Sequence, residues 1–188
     1  DPARLWLGCA SGAVRVCSTS LAGKQITLTY IEPGIWFGDI AMFDGDLRTH
    51  DAYAHGATAV LSVTRSNLER LLKQHVELYE ALLQLQARRI RLLFSQIEDL
   101  ATLPLRARLA KQLHQLMRSY GVPHPQLGDE TLITLRLAQE ELAQLLGASR
   151  QRVNQELKAL EREGAIRIDA AGLVVRNPQQ LRAAGSGD

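Results

Sequence analysis

Six side chains between positions 150 and 158 have the types that read nucleic acid. Arg150, Gln151, Asn154, Gln155 and Lys158 share one polar face of an expected helix, and Arg152 lies at its flank. Arginine pairs bidentately with guanine, and glutamine or asparagine with adenine, along the major-groove edges of the bases. The start of this helix carries no acid, and Ser149 stands where a helix N-cap belongs. The backbone N–H groups at that end add a partial positive charge towards phosphate.

The elements around that face must hold it outward. Leu142, Leu145 and Leu146 form an apolar stripe on a preceding helix, Ala138 to Leu146. Ala143 is small where a second helix crosses, and Gly147 sits at the sharp turn between the two. Val153, Leu157 and Leu160 recur at i, i+4 and i+7 and bury the inner face of the helix Ser149 to Glu163. This is a helix-turn-helix layout. A hairpin at Ala165 to Arg176, turning through 169–172, makes it winged.

Further back, Val76 to Leu100 has no Gly or Pro and reads as one long helix. Tyr79, Leu83, Gln86, Ile90, Leu93, Ile97 and Leu100 recur at alternating steps of four and three, a heptad seam with one polar member. The seam predicts a homodimer. Leu82, Leu85, Leu92 and Phe94 supply a second apolar face, expected to lie on the chain's own core. A shorter helix, capped by Ser66, is expected through Lys73. Thr102-Leu103-Pro104 breaks the chain between two domains. After it come a helix from Leu105 to Tyr120, a loop at 122–130 and a strand near 131–135.

The first 64 residues read as short strands and turns. Leu5 to Cys9 and Ala13 to Cys17 form two strands about a turn at Ala10-Ser11-Gly12. Lys24 to Tyr30 alternates, with Ile26, Leu28 and Tyr30 on one face and Gln25, Thr27 and Thr29 on the other, after a turn at 21–23. Ala57 to Thr64 is a further strand. Short strands at this spacing suggest a barrel or sandwich. Cys9 and Cys17 fall on adjacent strands in this reading, near enough to approach each other.

The 188 residues are 46% hydrophobic and 22% charged, an ordinary globular balance for one domain or two small ones. The net charge of +2 is uneven: residues 1–64 carry 4 basic and 6 acidic side chains, and residues 104–188 carry 12 and 9. An acid-leaning N-terminal part thus precedes a basic part suited to a polyanion. No apolar run is long enough to span a membrane. Two cysteines are too few for a disulfide scaffold, so a reducing cytoplasm is expected. The first residues have neither an initiator Met nor a signal-peptide layout, as if the chain began inside a longer product. There is no HExxH, nucleophile elbow or Walker loop, and the chain is not read as an enzyme. His50, Asp51 and His55 are more simply solvated loop residues than a metal trio.

The whole chain to about Arg176 resembles the Crp–Fnr family of bacterial transcription regulators. The most specific pieces are Gly147-Ala148-Ser149-Arg150-Gln151-Arg152-Val153, and Gly38-Asp39-Ile40-Ala41-Met42-Phe43-Asp44 followed by Arg48-Thr49. The resemblance implies an α+β fold: a jelly-roll-like β-barrel over 1–75, a dimerisation helix over 76–103 and a winged helix-turn-helix over 104–188. It also implies that the barrel's first strands are missing from these residues. It makes Gly38, Asp39, Ile40, Arg48 and Thr49 a phosphate-binding cassette for a cyclic nucleotide such as cAMP. Double-stranded DNA is the implied partner, with RNA polymerase as well where the regulator activates.

This sequence departs from the cyclic-AMP pattern. Asp39 replaces a glutamate, the cassette is one residue shorter before Arg48, and Leu93 and Phe94 stand where hydroxyls would read the base. A cyclic nucleotide, another effector or none all remain open. Gln151 and Gln155 replace the usual Glu and Arg of the reading helix, so the family's usual half-site is not carried over. The competing function is a ligand-binding or protein-interaction module with a vestigial pocket.

Overall fold

A computed structural model describes residues 3–20, 23, 25–170 and 172–187. The expected turn at 21–23 and the tip of the hairpin at residue 171 lie largely outside the described residues. The chain forms two compact units, residues 1–97 and 98–188.

In the first unit a single strand, β1 (Leu5–Thr19), replaces the two expected short strands. It pairs antiparallel along its length with β4 (Asp51–Thr64). On its other edge lie β2 (Gln25–Ile31) and the two-residue β3 (Trp36–Phe37). The expected turn at Ala10-Ser11-Gly12 is instead a pair of register shifts against β4, between Cys9 and Ser11 and between Ser11 and Ala13. A bulge absorbs extra residues without reversing the chain. Cys9 and Cys17 therefore sit on one strand, separated by at most about 26 Å at ~3.3 Å per residue. Both are buried free thiols. Burial holds the Cys9 thiol above its ordinary pKa, against a weaker opposing pull from the Ser11 backbone.

The β2 alternation also changes. Thr27 and Tyr30 are buried, while Ile26 and Leu28 are exposed. The register runs Val16 with Thr29, then Cys17 with Thr27, so Leu28 is the extra residue of a bulge. One extra residue inverts the pleat, which turns Thr27 inward. The four strands form an antiparallel, jelly-roll-like sheet that is not closed.

Three helices complete this unit: α1 (Ile40–Phe43), α2 (Arg65–Gln74) and α3 (Glu77–Thr102), whose last turn enters the second unit. Thr64, not Ser66, caps α2, accepting a hydrogen bond from the Asn67 N–H at 3.3 Å. Ala41 and Met42 of α1 and Leu68 and Leu72 of α2 make a small core with Ala3. Leu78 and Leu82 of α3 pack against it.

In the second unit, Pro104 follows the end of α3 and stands at the N-cap of α4 (Leu105–Tyr120). Then follow β5 (Gly121–Pro123), β6 (Thr131–Ile133), α5 (Gln139–Leu146), α6 (Arg150–Arg162), β7 (Ile166–Asp169), β8 (Gly172–Val175) and α7 (Pro178–Ala184). The sheet order is β5-β6-β8-β7, so the hairpin β7–β8 is extended by two strands. Leu109 and Leu113 of α4, Leu142 of α5, Leu157 and Leu160 of α6 and Val175 of β8 share one core. Leu181 of α7 is fully buried in it. The C-terminal stretch is thus docked for most of its length. Asn177 caps α7 through the Gln180 N–H, and Pro178 occupies the first turn. Among the described residues no helix is long and apolar enough to cross a membrane.

Candidate functional site

The reading surface is built by α5 and α6. Ala143 is 1% exposed at their crossing, where a larger side chain would force the helices apart. Leu142 and Leu146 are buried as expected, and Leu145 is only half-buried. Gly147 ends α5 with φ 62° and ψ 34°, the left-handed conformation that suits glycine. A Cβ there would meet nothing within 4 Å, so its cost lies in the backbone alone. Gly147→Ala is therefore expected to destabilise this unit by about 1–2 kcal/mol, read as a lower urea midpoint with the slope unchanged.

Ser149 then opens α6, its hydroxyl accepting from the Arg152 N–H at 3.4 Å. No acid occupies the first turn of α6. Val153, Leu157 and Leu160 are buried, which turns Arg150, Gln151, Arg152, Gln155 and Lys158 to the exposed side.

Asn154 departs from the expected face. It is half-buried, and its Oδ1 accepts from Gln139 Nε2 of α5 at 3.2 Å. The 100° step from Val153 carries it partly into the helix crossing. Two supports were not visible as motifs. Arg108 of α4 donates to the Leu146 carbonyl at 2.9 Å, satisfying the end of α5 beside the turn. At the wing, Glu130 forms ion pairs with Arg167 and Arg176, each at 3.0 Å. Both contacts join residues distant in sequence, and no local pattern announces them.

The cassette of the first unit brings several of its residues together. Gly38 has φ +76°, and an added Cβ would lie 2.6 Å from Arg48 Nη1. Arg48 Nη2 donates to the Leu5 carbonyl at 2.7 Å. The Thr49 hydroxyl lies 2.8 Å from His50 Nδ1. Asp39 is 2% exposed, and its Oδ2 receives Arg89 Nη1 at 2.6 Å together with the amide of Gln86. Ile40 is exposed. The residues Gly38, Asp39 and Arg48 are together, and the chain itself partners one oxygen of Asp39 and one nitrogen of Arg48. Among the described residues no cluster of three His, Cys, Asp or Glu could hold a metal ion.

Gln86, the polar member of the seam, is half-buried, and its amide donates to Asp39 of its own chain. The other seam residues, Tyr79, Leu83, Ile90, Leu93, Ile97 and Leu100, are all exposed. On the second apolar face, Leu82 and Leu85 are half-buried, whereas Leu92 and Phe94 are exposed.

A jelly-roll-like sheet with a glycine cassette, a long helix and a winged helix-turn-helix define a two-unit regulator of transcription. Residues 1–75 match the cyclic nucleotide-binding domain, and residues 107–184 match the Crp-like helix-turn-helix domain. The CRP-like cAMP-activated global transcriptional regulator of Mycobacterium tuberculosis is 33% identical over 171 residues, which cover 91% of this chain and 75% of that protein. The global nitrogen regulator of a Synechocystis strain is 31% identical over 183 residues, covering 96% and 80%. FixK2 from Bradyrhizobium japonicum shares the fold at a TM-score of 0.84 and 23% identity, over 98% of this chain and 88% of that one. The chain belongs to the Crp–Fnr family of DNA-binding transcription regulators.

Proposed function

We propose that two copies of this chain read a near-palindromic DNA site, each through α6. The observation that carries this is the exposed face of Arg150, Gln151, Gln155 and Lys158 on a helix whose first turn holds no acid. Arg150 takes guanine at the groove edge, and Gln151 and Gln155 shift the preference at neighbouring pairs. Arg152, at the flank, and the backbone at the start of α6, with Ser149, face phosphate. Asn154 acts with Gln139 at the margin of the face.

The exposed stripe Tyr79, Leu83, Ile90, Leu93, Ile97 and Leu100 supports the dimer. Apolar side chains at this spacing gain by covering one another in a second helix. Gln86 contributes at the border of that stripe, through Asp39. The protein works by recognition rather than catalysis, in the bacterial cytoplasm, with RNA polymerase as the further partner of an activating complex. The domain limits proposed with it are a sensor-like part to about residue 75, the helix over 76–103 and the reader from 104.

Selection of duplexes from a random pool by the intact protein tests this reading. The expected product is an inverted repeat whose half-site centres lie about 34 Å apart. Recovery of a single unrepeated half-site would reject the dimeric reader.

A further inference from the structure

The basic excess of the second unit lies mostly off the reading helix. Residues 100–128 and 170–187 contain no acid. They carry Arg106, Arg108, Lys111 and Arg118 on α4, Arg176 after β8, and Arg182 on α7. By contrast, α6 has four basic side chains but also two acids, Glu156 and Glu161. Charge this uneven, set apart from the reading face, suits a second anionic partner.

Four of these cations are engaged within the chain. Arg106 pairs with Glu163, Lys111 with Asp99 at 2.6 Å, and Arg176 with Glu130 at 3.0 Å. Arg108 donates to the Leu146 carbonyl. Arg118 and Arg182 differ: both are exposed, and among the described residues neither guanidinium forms an ion pair. The fold brings these two to one place. Helix α7 packs along α4, so closely that a Cβ on Gly185 would stand 3.1 Å from Lys111 Cγ. Arg182 lies one turn before Gly185. His114 lies one turn after Lys111, and Arg118 follows it at i+4 on the same side of the helix. His114 is half-buried beside both arginines. Burial first, then the charges of Arg182 and Arg118, hold its imidazole below its ordinary pKa.

Two features decide which anion this place fits. Helix α7 is tied to the far end of α6, where Gln180 Nε2 donates to the Glu163 carbonyl at 2.9 Å. That end stands about 20 Å from the Ser149 cap, thirteen residues at ~1.5 Å each. The face is thus set away from a duplex read at the start of α6. A duplex also needs a row of cations along its phosphates, whereas two guanidiniums match a short anionic stretch. Their planar forks donate in pairs to carboxylates. We propose that Arg118 and Arg182, flanking His114, form a second contact face, separate from the reading face, which takes an acidic polypeptide segment of a partner protein.

The test uses the full chain and a fluorescein-labelled oligoglutamate peptide, titrated by fluorescence anisotropy at low salt. A glycine–serine peptide of equal length is the uncharged control. Oligoglutamate should bind, and the control should not. Replacing both Arg118→Ala and Arg182→Ala should weaken oligoglutamate binding by about fivefold or more. Replacing both Arg150→Ala and Arg152→Ala, on the reading helix, should change it by less than about twofold. Arg118→Lys with Arg182→Lys keeps the charge without the fork and should recover part of the loss. The selected duplex, at about 0.15 M salt, should bind the Arg118→Ala, Arg182→Ala protein within about twofold of the unaltered one.

Both arginines are exposed, so the double variant should keep the urea midpoint of the unaltered protein. Should it fail to fold, Arg182→Ala alone decides, with an expected loss of about twofold or more in peptide affinity. Unchanged peptide affinity in the deciding variant would overturn the proposal, as would absence of oligoglutamate binding to the unaltered protein. So would a loss for the reading-helix pair as large as that for Arg118 and Arg182. Duplex affinity falling as far as peptide affinity would also overturn it and assign the face to phosphate. The peptide titrations contain no DNA, so they judge this face whether or not α6 reads base sequence.

Discussion

Replacing Arg150 by alanine is expected to abolish sequence preference while sparing general DNA affinity. Arg150 is exposed in the first turn of α6, directly after the Ser149 cap. Its guanidinium supplies paired donors in a fixed fork, which match the O6 and N7 acceptors of guanine. A good bidentate contact contributes about 1–3 kcal/mol of discrimination. A dimer loses two of them, so the selected duplex should bind roughly 30-fold to about 20,000-fold more weakly, at about tenfold per 1.4 kcal/mol. Binding to random duplex depends mainly on phosphate contacts and should fall far less. Titration of both duplexes at one salt concentration checks this. Equal losses on the two would mean that Arg150 touches only phosphate.

Leu157→Ala should unfold the reader unit rather than blunt its specificity. Leu157 is 2% exposed and packs in the core shared by α4, α5 and α6. Truncation removes transfer energy and leaves a cavity in an interior that relaxes only partly. The expected cost is about 2–5 kcal/mol. Leu157→Met keeps the volume and should cost less than about 1.5 kcal/mol. Urea unfolding followed by circular dichroism separates these outcomes. DNA binding should track the folded fraction and show no change of preferred sequence. A shift in preferred bases at unchanged stability would place Leu157 at the interface, against its burial.

Most of the reader was legible in the sequence because its signals are local. Ala143, Gly147, Ser149 and the Val153–Leu157–Leu160 spacing each act within a turn or two of helix, and each lies where that reading needs it. The exposed stripe of α3 followed equally from a simple period. What was not legible depended on partners far along the chain. The long β1 strand is continuous because β4 pairs with it through two register shifts. Thr27 turns inward because Leu28 is bulged, and a strict alternation cannot reveal a bulge. Helix α7 was the exception: the Asn177-Pro178 start signal was local, but a short run of small and polar residues hid its core anchor, Leu181.

In the cassette, the contacts made by Asp39 depend on residues far along the chain. Gly38, Asp39 and Arg48 sit together as the family resemblance implies. Asp39 meets Gln86 and Arg89 across 47 and 50 residues of sequence. The same heptad position that made Gln86 look like a seam residue also brings it to the border of the covered face. Asn154 shows the same effect on a smaller scale, since its partner Gln139 belongs to the neighbouring helix.

The central claim is that α6 reads base sequence. Competition anisotropy at matched salt, with the intact protein on the selected inverted repeat and on random duplex of equal length, measures it most directly. A preference of about 10³-fold or more for the repeat is predicted, falling towards unity in Arg150→Ala. Equal affinity of the intact protein for both duplexes would contradict the account.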